Sequence, residues 1–170
     1  MRKVILGLLL LLIASSARAQ APMVATDITA AQVQKFLKEA PRDRNSDRPI
    51  RVIDAGGYRI GVFGVFRPKG TPLSAIVHQT KVAEVYYMLE GAGVLVTGGT
   101  LRKPVTPQHL NLGNWTDLGS AGVDGGVSRR VAKGDVVIIP GGVSHMWASL
   151  ESDLTYLIVR PDPENKISLK

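Results

Sequence analysis

Gly134-Asp-Val-Val-Ile-Ile-Pro140-Gly141-Gly142-Val-Ser-His145 is the stretch on which the fold turns. Val136 to Ile139 is a short apolar, β-branched run closed by Gly on one side and Pro on the other, which reads as a strand with defined ends. Pro140-Gly141-Gly142 then turns the chain. Glycine takes positive φ without steric cost and lets other backbone come close, so His145 opens the following strand at a set place. An imidazole placed this way suits a metal ion or a proton transfer.

The spacing G-x5-P-x-G-x2-H, met at Gly134, Pro140, Gly142 and His145, resembles the second conserved motif of the cupin superfamily. The family motif continues x3-N, where this chain has Ser149. Upstream, His78-Gln79-Thr80-Lys-Val-Ala-Glu84 followed by Gly91 resembles the first motif, G-x5-H-x-H-x3,4-E-x6-G. Thr80 stands at the second histidine, and Pro72 stands at the leading glycine with Gly70 close by. The resemblance implies an all-β, cupin-type double-stranded β-helix (jelly-roll) barrel with His78, Glu84 and His145 pointing into its mouth as ligands of a divalent metal. Three alternatives follow from Thr80: a working three-ligand centre, a substitute ligand such as His109 or Gln79, or a cupin without metal.

Glu84 lies in Lys-Val-Ala-Glu-Val-Tyr-Tyr-Met-Leu, where an unpaired carboxylate is costly to bury, and a metal or a histidine partner removes that cost. Two imidazoles and a carboxylate with open positions suit Fe(II), and in other geometries Zn(II) or Mn(II). Tyr86 and Met88 share the strand parity of Glu84 and face the same interior. The candidates for handling a proton or orienting a substrate are Glu84, Tyr86 and His109.

Met1-Arg-Lys, the apolar run Val4 to Ile13 and Ala17-Arg-Ala19 form a secretory signal peptide over residues 1–19, with cleavage after Ala19 or Ala21. The apolar run is too short to span a bilayer. Its removal from the 170-residue chain leaves 151 residues, enough for one domain in a periplasmic or secreted setting. With no cysteine, the chain has no disulfides, lipid-attachment site or thiolate chemistry. Arg2, Lys3 and Arg18 leave with the signal and no acidic residue does, so the formal charge of +7 becomes +4. The remaining basic residues are scattered and not interleaved with aromatics, which argues against nucleic acid.

Residues 20–47 comprise a helix and connector. Thr29-Ala-Ala-Gln32 resembles a capping box, Val33, Phe36, Leu37 and Ala40 make an apolar stripe, and Pro41 ends the helix over 28–40. A charged connector follows, strands begin at Ile50, and the barrel spans 48–162 ahead of a tail at 163–170. The helix is expected on the outside of the barrel. Gly98 to Gly125 is poor in strand pattern; it contains His109, Trp115 and Asp117 and reads either as a lid over the site or as a surface loop. Two function classes remain: a metal-dependent enzyme (dioxygenase-like oxidoreductase or isomerase) acting on a small oxygenated molecule, and a metal-free binder of a sugar or organic acid. A homodimer paired through outer sheets is expected in either case.

Overall fold

The computed structural model describes residues 24–105 and 113–170; the signal sequence read at 1–19 and His109 lie outside the described residues. Helix α1 (Ala30–Lys38) carries the expected box: the Gln32 N–H donates to Thr29 Oγ1 at 3.2 Å and the Thr29 N–H to Gln32 Oε1 at 2.8 Å. Phe36 and Leu37 seat on Gly64, and Arg42 just beyond the helix stacks on Phe66 with Cζ 4.3 Å from the ring centroid. The helix therefore covers the outer face of the second strand.

Among the described residues twelve strands follow: β1 (Ser46–Asp54), β2 (Arg59–Arg67), β3 (Ala75–His78), β4 (Glu84–Glu90), β5 (Ala92–Thr97), β6 (Thr100–Leu101), β7 (Asp117–Ser120), β8 (Val123–Asp124), β9 (Val127–Ala132), β10 (Val136–Ile139), β11 (His145–Leu150) and β12 (Leu154–Asp162). Two antiparallel five-stranded sheets, ordered β1-β2-β12-β4-β10 and β7-β3-β11-β5-β9, face each other, with β6-β8 as a small third sheet. Alternation sets the interior: Leu154, Tyr156, Ile158, Arg160 and Asp162 of β12 are all buried, as are Glu84, Tyr86 and Met88 of β4. Phe63, Leu95, Trp147 and Val131 complete the core between the sheets.

Two expectations are corrected. The first strand starts at Ser46, inside the polar connector, and Pro49 is accommodated because β1 is an edge strand with a register shift between Pro49 and Arg51. The interval 98–125, read as poor in strands, contains β6, β7 and β8. Asp117-Leu-Gly-Ser has no β-branched run; it is a strand because it pairs with β3, from Ala75 opposite Ser120 to His78 opposite Asp117.

The tail folds back onto the barrel. Asp162, fully buried, accepts the N–H of Glu164 at 3.1 Å and that of Ile167 at 2.7 Å, and Ile167 enters the core. Lys170 and Val52 exchange backbone hydrogen bonds of 3.2 and 3.0 Å.

In the turn before β11 the two glycines have different reasons to be glycine. Gly142 has φ +76°, while a Cβ on Gly141 would stand 2.6 to 2.8 Å from the Lys81 backbone. Gly142→Ala is expected to lower stability by about 1–2 kcal/mol, the cost of a side chain in left-handed backbone. Gly141→Ala is expected to cost more, because main chain must move. Denaturant titration of both variants checks this; Gly141→Ala as stable as Gly142→Ala would refute the close-approach account.

Candidate metal centre

His78 closes β3 and His145 opens β11, neighbours in one sheet, while Glu84 opens β4 in the other. All three are buried, and one ligand atom from each lies within 4.8 Å of the others. His78 Nε2 is 3.5 Å from Glu84 Oε1, and His145 Nε2 is 3.4 Å from Glu84 Oε2. Donors bonded to one tetrahedral ion at about 2.1 Å stand about 3.4 Å apart, and each histidine–glutamate spacing, one to each carboxylate oxygen, is of that size.

Each ring is anchored by its other nitrogen. His145 Nδ1 is 3.1 Å from the Val143 carbonyl, which can only accept, so Nδ1 carries the proton and the Nε2 lone pair faces the centre. His78 Nδ1 lies 2.5 Å from Asp117 Oδ1, which also accepts the Trp115 indole N–H at 2.8 Å. Such outward bonds hold metal-binding imidazoles in orientation and tautomer.

Two facing antiparallel sheets and both motif histidines converging with the motif glutamate between them settle the architecture. The fold is that of the cupins. No protein-family model matches the chain, and no curated protein does. Among solved structures it is similar to a Klebsiella pneumoniae protein with a double-stranded β-helix domain (15% identity, 85% of this chain and 97% of that one, TM-score 0.48). It is also similar to an RmlC-like cupin family protein from Methanocaldococcus jannaschii (12% identity, 74% and 90%, TM-score 0.42) and to a DMSP lyase from Ruegeria pomeroyi (16% identity, 88% and 81%, TM-score 0.45).

What distinguishes this barrel is the setting of Glu84. Arg160 of β12 donates from Nε to Glu84 Oε1 at 2.8 Å, with Nη2 2.6 Å from the same oxygen. Arg160 also forks onto Asp47 of β1, Nη1 to Oδ1 at 3.0 Å and Nη2 to Oδ2 at 2.6 Å, and its Cζ lies 4.2 Å from the Phe63 ring centroid. The Tyr86 hydroxyl donates to Glu84 Oε2 at 3.0 Å, so Tyr86 holds the glutamate. Burial alone would raise the Glu84 pKa, but the Arg160 guanidinium and the two imidazoles hold it well below the carboxylate range. Arg160 is absent from the sequence reading, although it stands on the inward parity of an apolar strand, the same signal that marks Glu84.

Thr80 is turned away from the centre. Its hydroxyl donates to Glu164 Oε2 at 2.8 Å, and Glu164 also accepts the Lys81 N–H at 2.9 Å. Gln79 is exposed, with its N–H on the Thr116 carbonyl, so it does not replace the missing histidine. Residues 113–120 are no lid: they form a wall of the site, with Asp117 bonded to His78 and Trp115 packed edge-on against it at 5.9 Å between centroids.

The histidines differ electrostatically. Burial lowers the His78 pKa, but the Asp117 hydrogen bond and the Glu84 carboxylate outweigh it and push it up to about 9. Burial holds His145 below its ordinary value, Glu84 offsetting only part of that. In metal-free protein, NMR titration is expected to show His78 charged at neutral pH and His145 neutral, and Asp117→Asn to bring the His78 titration down. The His78 contribution to stability is complete below pH 6.5, its ordinary value, and fades as pH rises to about 9. His145 acts oppositely, costing stability as pH falls below 6.5. Two histidines titrating together near pH 6.5 would contradict this.

Proposed function

We propose that this cupin binds one divalent metal ion through His78, Glu84 and His145 and uses it on a small oxygenated molecule. The observation that supports this reading is the pair of Nε2 atoms aimed at one carboxylate, each ring fixed by an outward Nδ1 bond. The charges agree with it. Arg160 is paired with Asp47 and Glu84, and His78 with Asp117, so with neutral histidines the carboxylates in these contacts outnumber the one guanidinium bonded to them. The ligand set suits Fe(II), Mn(II) or Zn(II). When bound, such an ion polarises a substrate oxygen or activates water or dioxygen. Around it, Tyr86 and Arg160 keep Glu84 ionised and in place, while Asp117 keeps the His78 ring oriented.

The second reading, a metal-free binder of a sugar or organic acid, is favoured by one observation: Arg160 already occupies Glu84 Oε1. Elemental analysis of protein purified without a histidine tag separates the two. The expected result is about one Fe, Mn or Zn per chain, abolished in His145→Ala and retained in Ser149→Ala, since the first removes one of three ligands. Folded protein free of metal that also fails to take up added Zn2+ would overturn the metal reading.

The basic and apolar start of the sequence supports export to the periplasm or beyond. Among the described residues no helix is long and apolar enough to cross a membrane. We also propose a homodimer. The outer face of β10 and β4 presents Val136, Ile138 and Tyr87, 60%, 68% and 47% exposed, on an edge strand with neither charge nor proline within Val136–Ile139. Light scattering is expected to show a dimer, and Ile138→Lys a folded monomer; a monomeric wild type at tens of micromolar would refute the pairing.

A further inference from the structure

Among the described residues Arg160, 2% exposed, spends its donors on two carboxylates: Nε and Nη2 on Glu84 Oε1, Nη1 and Nη2 on Asp47. The face of Phe63 closes one side of the guanidinium. His78 Nε2 lies 3.5 Å from the same Glu84 Oε1. A cation held between His78 and Glu84 therefore shares a carboxylate oxygen with the Arg160 guanidinium.

Resting on the metal-centre reading, we infer that Arg160 is a resident cation and a positioning residue: it neutralises Glu84 in the metal-free barrel and, by competing for Oε1, lowers the affinity of the centre for a metal ion. Asp47 is its counterweight. It takes the outer fork of the guanidinium, and its side chain, 22% exposed, draws part of that charge away from the glutamate. Removing Arg160 relieves like-charge repulsion at the ion. Removing the Asp47 charge leaves the guanidinium wholly on Glu84. The two changes thus move metal affinity in opposite directions. A merely structural role would not, because either loss would loosen Glu84 and weaken binding.

Calorimetric titration of Zn2+ into chelator-stripped, tag-free protein at pH 8 tests this. Arg160→Met is expected to bind about tenfold or more tightly than wild type, and Asp47→Asn about tenfold more weakly, the size expected for one charge a few ångströms away in a partly polar interior. Arg160→Lys keeps the charge and is expected to stay within about threefold of wild type. Metal-free Arg160→Met is expected to melt at a lower temperature than wild type and to recover on Zn2+ addition. Recovery of the native circular dichroism only when Zn2+ is present supports the same role. Weaker binding by a folded Arg160→Met, or tighter binding by Asp47→Asn, overturns the inference while leaving the metal centre standing. A wild type silent to millimolar Zn2+ beside an Arg160→Met that binds overturns the metal-centre reading and keeps the competition; silence from both overturns both.

Discussion

Glu84 is an ionised carboxylate, 2% exposed, in a barrel whose core includes Phe63, Leu95, Met88, Trp147 and Tyr156. Leaving such a charge without partners costs more than most single interactions in a domain contribute. The structure answers with a guanidinium, a phenol and two imidazoles, drawn from β12, β4, β3 and β11. Because those strands come from both sheets, one side chain ties the barrel together at one end. It also defends the register. A one-residue slip of β4 would turn Glu84 out and Val85 in, breaking every one of these contacts at once.

The balance of charge around this group extends across a whole sheet. Asp47 on β1, Arg160 on β12 and Glu84 on β4 form a chain over the ring of Phe63 on β2. Arg160 and Glu84 lie next in register beyond the Val159–Val85 pair, so their contact is a cross-strand pair built in by the topology. Asp47 reaches the network only because β1 begins at Ser46. The polar start of that strand, which looks like linker in the sequence, is polar because it supplies the partly exposed end of an interior ion network.

The elements that were legible in the sequence are those whose signal is local. The capping box at Thr29 and Gln32, the run Val136–Ile139 and the turn glycines before His145 are each explained by residues within a few positions of one another. His78, Glu84 and His145 were legible through spacing, and they do converge. Asp117 and Arg160 were not, because their meaning is nonlocal. Asp117 sits in a strand defined by its pairing with β3 and a bridge to Val105, and Glu84, a partner of Arg160, is 76 residues away. The parity rule that put Tyr86 and Met88 on the face of Glu84 applies equally to Arg160 in Leu154-Tyr156-Ile158-Arg160-Asp162. Applied to every charge on an apolar strand, that rule finds both halves of the pair.

Thr80 shows how the departure from the cupin motif is absorbed. The position is no hole in the ligand set, because its side chain belongs to another part of the structure. Its hydroxyl meets Glu164, Asp162 holds the turn that carries Glu164, and Ile167 pins the following tail in the core. The residue that would have faced the centre as histidine serves as a clasp for the C-terminal strap. The group has one fewer neutral donor than the resemblance implies, and a fixed cation, Arg160, on its carboxylate. A barrel built this way holds the His78, Glu84 and His145 side chains together through its own ion pairs and hydrogen bonds.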